Sequence, residues 1–543
     1  MDSAFVGHVH ALRLALTDPR FDACAVTGAF AVQPGARDVL DKAAALAPEG
    51  PGPYADRLAD AVEAAGTSVQ RPELGTLVAS VPAGPAERDA ATAAVAAVDD
   101  EAVRLRTAVK SRDGFFTTFF ISPYSRYIAR WCARRGLTPN QVTTASLITA
   151  LIAAGCAATG ERWGYVAAGV LLLVSFVLDC TDGQLARYSL QYSTMGAWLD
   201  ATFDRAKEYS FYAGLALGAA SNGDDVWGLA VGSMILMTCR HVVDFSFNEA
   251  NHDATANTSP TAALSDRLDS VGWTVWVRRM IILPIGERWA MIAVLTAFTT
   301  PRIVFYALLI GCAFGALYTT AGRVLRSLTR KATRTDRAAQ ALADLADSGP
   351  LAELQARLLR GRAGSFGSVY VAALGTLLMV GAALYLPFGD PRLIAVAVVY
   401  AMAAGLAVSA PLKGALDWLI PPLFRAAEYV TVLVLAAKAD VPGALPAAFG
   451  LIAAVAYHHY DTVYRIRGGT GAPPHWLVRT IGGHEGRVLL LTVLAAVLMS
   501  RAVDFPVALT AMAVFVALVV LVESIRFWVS SGAPAVHDEG EPA

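Results

Sequence analysis

Four aspartates lie in one stretch of the chain, in two pairs at helical spacing. The pairs are Asp179 with Asp182 and Asp200 with Asp204. The first pair is three residues apart and the second is four residues apart, so the members of each pair share a face if the segments are helices. Converging carboxylates beside apolar segments repel one another unless a cation neutralises them, and Mg²⁺ or Mn²⁺ prefers such oxygen ligands. The sequence therefore predicts that all four aspartates hold divalent metal.

Small residues and an arginine accompany the aspartates. Gly183, Ala186 and Gly196 lack bulk, which lets helices pack closely or lets a planar base and its phosphates approach the backbone. Arg187 supplies a cation for a phosphate. Two metal ions bridging a diphosphate would offset charge on a leaving nucleotide, and a carboxylate not saturated by metal could take a proton from an acceptor. The pattern indicates phosphoryl transfer without a covalent intermediate.

The alternative for the aspartates is a purely structural role as helix caps or salt-bridge partners. We disfavour it because few cations lie near them in the sequence. The six cysteines are scattered, which indicates neither a disulfide framework nor a zinc site. They are Cys24, Cys132, Cys156, Cys180, Cys239 and Cys312.

The composition indicates a membrane protein. The chain is 55% hydrophobic and only 16% charged, and its mean hydropathy is +0.48. Apolar runs long enough to cross the ~30 Å hydrocarbon layer of a membrane recur from about residue 138 onward. We expect no cleaved leader and no nucleic-acid partner.

Twelve apolar segments, in two sets of six, are the elements that must position the aspartates. The first set lies at about 138–159, 163–187, 195–219, 225–247, 287–300 and 302–322, and the second at about 368–387, 392–410, 416–438, 443–460, 487–500 and 504–527. The predicted fold is mainly α. It is a polytopic membrane protein with a catalytic six-helix bundle at 137–325 and a second six-helix bundle, expected to be non-catalytic, at 367–530.

Four further regions flank these bundles. We predict a small soluble α/β domain at 1–110, an interfacial helix at 111–136, a basic linker at 326–366 and a disordered acidic tail at 531–543. By the positive-inside rule, the linker and the N-terminal domain face the cytoplasm. The expected location is therefore the plasma membrane of a bacterium, with the active site on the cytoplasmic side.

The second set of six resembles a degenerate copy of the first. Three pairs of segments match in order and in approximate spacing: Trp198 to Tyr209 with Trp418 to Tyr429, His241-Val-Val-Asp244 with His458-His-Tyr-Asp461, and Trp276 to Arg288 with Trp476 to Arg487. Arginine and glutamate are costly within membrane spans, so their recurrence in register favours an internal duplication over chance similarity.

The aspartate motif resembles the signature of a known family. The string D-x2-D-G-x2-A-R-x8-G-x3-D-x3-D, from Asp179 to Asp204, is similar to that of the CDP-alcohol phosphotransferases at every fixed position. The resemblance covers about residues 110–325, and Leu137-Thr-Pro139-Asn140-Gln-Val-Thr143 also resembles the family's entry to its first span.

The resemblance implies a role for each site residue. The four aspartates would hold two Mg²⁺ or Mn²⁺ ions, with Asp200 and Asp204 at the reaction centre and Asp204 as the base. Gly183 and Ala186 would flank the cytidine, Arg187 would steady the site near the diphosphate, and Gly196 would complete the donor site. The implied reaction moves a phosphatidyl or phospho-polyol group from a CDP-alcohol to a hydroxyl acceptor, with release of CMP, in phospholipid or related phosphodiester synthesis.

The resemblance also names classes of partner. An inositol-type and a glycerol-type acceptor both remain open, membrane lipids surround the protein, and a homodimer is one assembly to consider. The join near Lys110 resembles that of fused enzymes with a cytidylyltransferase in front, but residues 1–109 contain no Gly-rich nucleotide loop. We therefore expect no cytidylyltransferase activity.

The C-terminal copy lacks the metal ligands. Ile420 and Phe424 stand where Asp200 and Asp204 would be, and no D-x2-D-G motif precedes them. Its remaining polar residues form either a structural ion-pair network or a separate polar binding site. They are Arg425, Glu428, Asp461, Arg479, Glu485 and Arg487.

Two other functions compete with transfer. Hydrolysis of the CDP donor could use the same metal site, and a requirement for an acceptor alcohol separates the two reactions. The arrangement of six and six spans could also belong to a transporter built from repeats. In a transporter both repeats would line one path, whereas only one half of this chain carries the charged cluster.

Overall fold

The computed structural model describes most of the chain. The described residues are 1–16, 23–32, 37–45, 50–65, 67, 69–110, 113–251, 255–258, 282–329, 331–359 and 367–530. The predicted tail at 531–543 and the motif from Trp276 to Arg279 lie outside them.

The N-terminal region is a small α/β unit, which confirms the prediction. Its elements are β1 (Val6–Gly7), α1 (Val9–Leu16), β2 (Ala23–Val26), β3 (Ala29–Val32), α2 (Arg37–Ala45), α3 (Tyr54–Ala64), β4 (Val69–Gln70), β5 (Ala79–Ser80), α4 (Pro85–Ala96) and α5 (Asp100–Thr107). Strand β2 lies between antiparallel β3 and parallel β4, and β1 pairs with β5. Helix α3 covers the three-stranded sheet with Ala59 and Val62, which are fully buried.

A short helical segment leads from this unit into the membrane region. A π-helical turn at Thr117–Ile121 precedes α6 (Ser122–Arg134). Glu101 of α5 accepts hydrogen bonds from Arg130 at 2.6 Å and from Arg134 at 2.8 Å. The bond from Arg130 is the main cause that lowers the pKa of the Glu101 carboxyl. These contacts link α6 to the soluble unit next to the first span.

In the described part of residues 139–333, six helices and two short strands follow. They are α7 (Pro139–Ala158), α8 (Arg162–Ser189), α9 (Thr194–Ser221), α10 (Trp227–Asn251), β6 (Thr255–Thr258), α11 (Ile285–Phe298), α12 (Pro301–Thr329) and β7 (Lys331–Thr333). Helix α7 begins at a capping box, in which Thr138 and Gln141 satisfy each other's backbone N–H groups. Helices α7, α8 and α9 form the centre of this bundle.

Two glycines let α9 touch the backbone of α7. A Cβ atom on Gly214 would lie 2.3 Å from the carbonyl oxygen of Ala154, and one on Gly218 would lie 2.1 Å from that of Ala157. The glycines are four residues apart, which is the spacing of close helix pairs in membranes. This approach packs the C-terminal part of α9 directly on α7.

We therefore expect Gly218→Ala to destabilise the protein. The added methyl group forces α7 and α9 apart, which costs about 1–3 kcal/mol, the usual range for overpacking. The measurement is thermal unfolding of the full chain in detergent. Gly155→Ala on α7 is the matched control, because a Cβ there meets nothing within 4 Å, and we expect it to leave stability unchanged or raise it. Equal unfolding temperatures for the two variants would contradict this account.

The C-terminal half is also helical. Its elements are α13 (Asp336–Leu345), α14 (Pro350–Leu359), α15 (Ser368–Tyr385), α16 (Arg392–Ala407), α17 (Ile420–Ala439), α18 (Ala444–Arg467), α19 (His475–Ile481), α20 (Gly483–Val497) and α21 (Phe505–Ser530). Each predicted apolar segment overlaps one of the helices of the two halves. The mainly α architecture is thus confirmed.

The region predicted as a basic linker differs from that expectation. Its helices α13 and α14 pack on α10 and α16 respectively, because α13 presents a buried face that includes Ala338, Leu342 and Leu345. Arg334 is only 6% exposed, and it donates to the carbonyl oxygen of Gly414 at 2.6 Å. Part of the positive charge in this region is therefore structural.

Eight helices in the described ranges are long and apolar enough to cross a membrane. They are Pro139–Ala158, Arg162–Ser189, Trp227–Asn251, Pro301–Thr329, Ser368–Tyr385, Asp417–Ala439, His475–Val497 and Met499–Ser530. Four of the twelve predicted spans are not among these eight. Helices α11 and α16 are shorter, α9 carries the charged residues of the aspartate motif, and α18 carries polar residues that include His458, His459 and Asp461. The chain is an integral membrane protein.

Buried ion clusters occupy matching places in the two halves. They consist of Arg205, Glu208 and Arg288 in the first half and Arg425, Glu428 and Arg487 in the second. In each cluster the first arginine donates to the glutamate three residues later, at 3.0 Å and 2.7 Å. The second arginine, from α11 or α20, donates to the same glutamate at 3.4 Å and 2.5 Å.

A second correspondence lies one or two residues before the second arginine of each cluster. Glu287 accepts a hydrogen bond from the backbone N–H of Phe116 at 3.3 Å. Glu485 accepts from the N–H groups of Gly349 at 3.0 Å and Ala352 at 3.1 Å. Each glutamate holds the segment that precedes the first span of its own half. These matches support the duplication predicted from the sequence.

Candidate metal centre

Three of the four aspartates bring their carboxylates together near the loop that joins α8 and α9. Helix α8 carries Asp179 and Asp182 near its C-terminus, and α9 carries Asp200 and Asp204 near its N-terminus. One carboxylate oxygen each from Asp179, Asp200 and Asp204 lies within 4.8 Å of the others. Three ligands that are separate in the sequence therefore converge on a space that a metal ion fits.

The loop between the two helices sets this pairing. Helix α8 ends at Leu190, which has left-handed backbone angles (φ 53°), and this residue reverses the chain. Helix α9 begins after Ser193, whose hydroxyl oxygen accepts a hydrogen bond from the N–H of Gly196 at 2.9 Å. Only a short loop separates the helices, so both aspartate pairs are held at the same end of the bundle.

The fourth aspartate lies beside this group. Asp182 is 4% exposed, and its Oδ2 atom has no hydrogen-bond partner among the described residues. A buried carboxylate oxygen without a partner is costly, because it has lost water and gained nothing. A divalent cation would satisfy it, so these residues fit the metal site predicted from the sequence.

Lys207 is a residue of the candidate site that sequence reasoning missed. Its ammonium group is 1% exposed, contacts Asp179 and lies 2.7 Å from Asp204, and it also donates to the hydroxyl of Ser146 at 3.3 Å. The expectation that few cations lie near the aspartates was therefore wrong for two of them. The signal was present three residues after Asp204, one helical turn away.

A cavity opens next to the aspartates. Its lining includes four of the predicted site residues besides Asp182, and these are Gly183, Ala186, Gly196 and Asp200. Pro139, Asn140 and Thr143 at the N-terminal end of α7 form a further wall, together with Gln191, Tyr192 and Ser193 of the loop. The cavity is therefore continuous with two of the predicted metal ligands, Asp182 and Asp200.

The two glycines of the motif are small for different structural reasons. A Cβ on Gly196 would lie 2.8 Å from Oδ1 of Asn140, so this glycine allows α9 to approach α7. A Cβ on Gly183 would meet only the guanidinium of Arg187, at 3.5 Å, and the cavity side of this glycine is open. Arg187 lies beside Gly183, and its Nε donates to the carbonyl oxygen of Ala108 at 2.6 Å. The arginine thus links the site to the end of α5.

Comparison with known proteins places this part of the chain in a family. Residues 136–317 match the family described as CDP-alcohol phosphatidyltransferase. This part of the chain is a CDP-alcohol phosphatidyltransferase domain. Members of that family use divalent metal ions, in agreement with the carboxylate cluster. The resemblance to this family, which was inferred from the aspartate motif, is confirmed.

Several curated proteins resemble the CDP-alcohol phosphatidyltransferase domain. The archaetidylinositol phosphate synthase of Pyrococcus horikoshii is 33% identical over 115 residues, 21% of this chain and 58% of the relative. The phosphatidylinositol phosphate synthase of Mycolicibacterium smegmatis is 36% identical over 123 residues, 22% of this chain and 53% of the relative. A bifunctional IPC transferase and DIPP synthase of Rubrobacter xylanophilus is 41% identical over 86 residues, 16% of this chain and 19% of the relative. The chain thus spans about half or less of the length of these relatives.

The C-terminal half matches a different family. Residues 336–543 match one that is described as of unknown function. Where the CDP-alcohol phosphatidyltransferase domain has Asp204, this half has Phe424, whose ring stacks on His484 with centroids 4.2 Å apart. The hydroxyl of Tyr400 lies 2.7 Å from Nδ1 of His484. Packed rings fill the place that corresponds to the metal centre.

Proposed function

We propose that the protein transfers a phosphatidyl group from a CDP-diacylglycerol type of donor to the hydroxyl of an inositol phosphate type of acceptor, with release of CMP. The observation that carries the proposal is the convergence of Asp179, Asp200 and Asp204 within 4.8 Å, beside a cavity that Asp182 and Gly183 line. The names of the relatives, which are synthases of archaetidylinositol phosphate and phosphatidylinositol phosphate, support the acceptor class.

The proposed reaction exchanges one P–O bond for another. The acceptor hydroxyl attacks the phosphorus that carries the diacylglycerol, a new P–O bond forms, and the P–O bond to the CMP phosphate breaks. The hydroxyl proton passes to the carboxylate of Asp204, which we assign as the general base. Lys207, at 2.7 Å, keeps this carboxylate charged and oriented before the reaction.

The same residues would hold the metal. We propose two Mg²⁺ or Mn²⁺ ions bound by Asp179, Asp182, Asp200 and Asp204, because carboxylate oxygens are the ligands that these cations prefer. When bound, the ions would offset the negative charge of the diphosphate and of the leaving CMP. Gly183 and Ala186 leave room on the cavity wall for the cytidine, and Arg187 is close enough to Gly183 to steady the diphosphate.

Purified protein and a panel of substrates test this proposal. The protein is incubated with Mg²⁺ or Mn²⁺, CDP-diacylglycerol and either an inositol phosphate, inositol or glycerol 3-phosphate, and CMP release is followed. We expect release that depends on both metal and acceptor, and that is fastest with the inositol phosphate. Release without any acceptor would instead show a hydrolase at the same site.

We also propose that the metal centre opens to the cytoplasm. Gln191 lies in the loop next to the centre, and Asn222 lies at the other end of α9. A helix of 28 residues is about 42 Å long, more than the ~30 Å hydrocarbon layer, so we place the two positions on opposite sides of the membrane. The basic residues around α12 and α13 lie on the side of Gln191 in the predicted topology, which favours the cytoplasm.

Cysteine labelling in intact cells tests this orientation. In a background that lacks the native cysteines and still releases CMP, Gln191→Cys should be protected from an impermeant maleimide, and Asn222→Cys should react with it. Permeabilised cells serve as the control, because Gln191→Cys should then react as well. The opposite pattern in intact cells would place the aspartates outside the cell and overturn the assignment.

A further inference from the structure

The two halves of the chain meet through matching helices. Helices α9 and α10 of the first half pack against α17 and α18 of the second. Phe247 of α10 contacts Trp418 in front of α17, with ring centroids 5.3 Å apart. In the reciprocal place, Tyr464 of α18 lines one cavity together with Ala197 and Ala201 of α9, in the segment that corresponds to the one around Trp418. The interface therefore has the reciprocal form of a twofold dimer, within one polypeptide.

This interface reaches the metal centre. Tyr464 is half-buried and lines the same cavity as Asp182, Gly183 and Asp200. The other described residues that line this cavity belong to the first half of the chain, whereas Tyr464 belongs to the C-terminal half. The CDP-alcohol phosphatidyltransferase domain ends well before it in the sequence, so the cavity wall is shared between the two halves.

Contacts one turn earlier on α18 fix the position of Tyr464. The guanidinium of Arg205 lies over the ring of Tyr460 at 4.8 Å, and the hydroxyl of Tyr460 is hydrogen-bonded to Nδ1 of His241. Residues 460 and 464 are one helical turn apart and share a face. Because Arg205 directly follows Asp204, α18 is anchored to the helix that carries two of the metal ligands.

We infer that the C-terminal half acts as a built-in partner subunit, which supplies Tyr464 as a wall of the site that binds the nucleotide part of the CDP donor. The inference rests on the proposed function for the identity of the ligand. Tyr464 lines the cavity together with Gly183 and Gly196. An aromatic ring offers a flat apolar surface to a nucleobase, and stacking of this kind is insensitive to which base is bound. Tyr464 is assigned to donor binding, and the aspartates retain the chemistry.

Binding of CMP in the presence of Mg²⁺ tests the inference without relying on turnover. Calorimetry on the full chain in detergent compares the wild type with Tyr464→Ala, Tyr464→Leu and Tyr464→Phe. We expect about tenfold weaker binding for the alanine and leucine variants, the scale of one lost base–aromatic stack. The phenylalanine variant keeps the ring and should recover most of the affinity. Tyr385→Ala, at a position that is 88% exposed on α15, is the matched control and should bind as the wild type does.

Steady-state kinetics and thermal unfolding separate donor binding from simple packing. Loss of the ring should raise KM for the CDP donor and leave kcat nearly unchanged. Tyr464→Leu keeps most of the buried volume, so its unfolding temperature should stay near that of the wild type. If Tyr464→Leu bound CMP as tightly as the wild type, Tyr464 would be only an interface residue and the inference would be overturned. If the wild type itself neither bound CMP nor released it, the proposed function would fail instead.

Discussion

Replacing Asp204 by asparagine should reduce CMP release by at least about 10²-fold, the usual scale for losing a general base or an electrostatic group. Asparagine has nearly the same shape but carries no charge, so it neither accepts the hydroxyl proton nor attracts a divalent cation. It also removes the partner of Lys207 at 2.7 Å, and the remaining ammonium would compete with metal for Asp179. Asp200→Asn should have an effect of similar size, because Asp200 belongs to the same carboxylate group.

The measurement is metal-dependent CMP release by the full chain in detergent. Asp504→Asn is the control, because Asp504 is exposed in the C-terminal half and should leave the rate unchanged. Chelation of divalent metal should abolish release by the wild type and by the control. Near-normal turnover by Asp204→Asn would reject the metal site. The activity would then have to come from another catalytic centre, and the C-terminal half has Phe424 in place of this aspartate.

Replacing Arg487 by leucine should destabilise the protein by about 3–5 kcal/mol, the range for breaking a buried ion pair. Arg487 is 4% exposed, and it donates to Glu428 at 2.5 Å and to Asp347 at 2.7 Å. Burial alone would raise the pKa of the Asp347 carboxyl, but Arg487 and Arg425 hold this pKa well below its usual value. Without Arg487, both carboxylates keep a buried charge and lose a partner.

Arg479→Leu is the matched control for this prediction. Its side chain is 45% exposed and pairs with Glu353 at 2.7 Å, so water can replace the partner and the change in stability should be small. Thermal unfolding of the two variants in detergent gives the comparison. If Arg487→Leu unfolded at the temperature of Arg479→Leu, the buried network would be dispensable for folding. The alternative of a separate polar binding site in the C-terminal half would then gain weight.

The sequence contained most of what positions the aspartates. The spacing of Asp179 and Asp182, and that of Asp200 and Asp204, places each pair on one helix face whatever the rest of the fold does. The matched segments around Arg205 and Arg425 likewise indicated the repeat, because charged residues in apolar helices have few uses besides pairing. Local spacing was therefore sufficient for the two parts of the fold that depend on local geometry.

Features that depend on contacts between distant segments could not be read in this way. Tyr464 lies far along the chain from Asp200, and nothing in its surroundings in the sequence indicates a cavity in the other half. The packing of α13 could not be predicted for another reason. Its alanine-rich face is only moderately apolar, and basic residues dominate the composition of the surrounding segment. The spacing of Lys207 from Asp204 could be read from the sequence. Its contact with Asp179 could not, because that contact depends on how α8 lies relative to α9.

The shared cavity wall also has a consequence for stoichiometry. Two separate chains would complete the wall only above the dissociation constant of their complex, so the fraction of complete sites would fall on dilution in the membrane. Here Tyr464 and Gly183 belong to one polypeptide, and the effective concentration of the second half is set by the chain itself. Each chain then contains one complete site, at a ratio of one to one, whatever its level of expression. We expect Phe424, which stands where the first half has Asp204, to leave the other half of the pair without a competing site for the same donor.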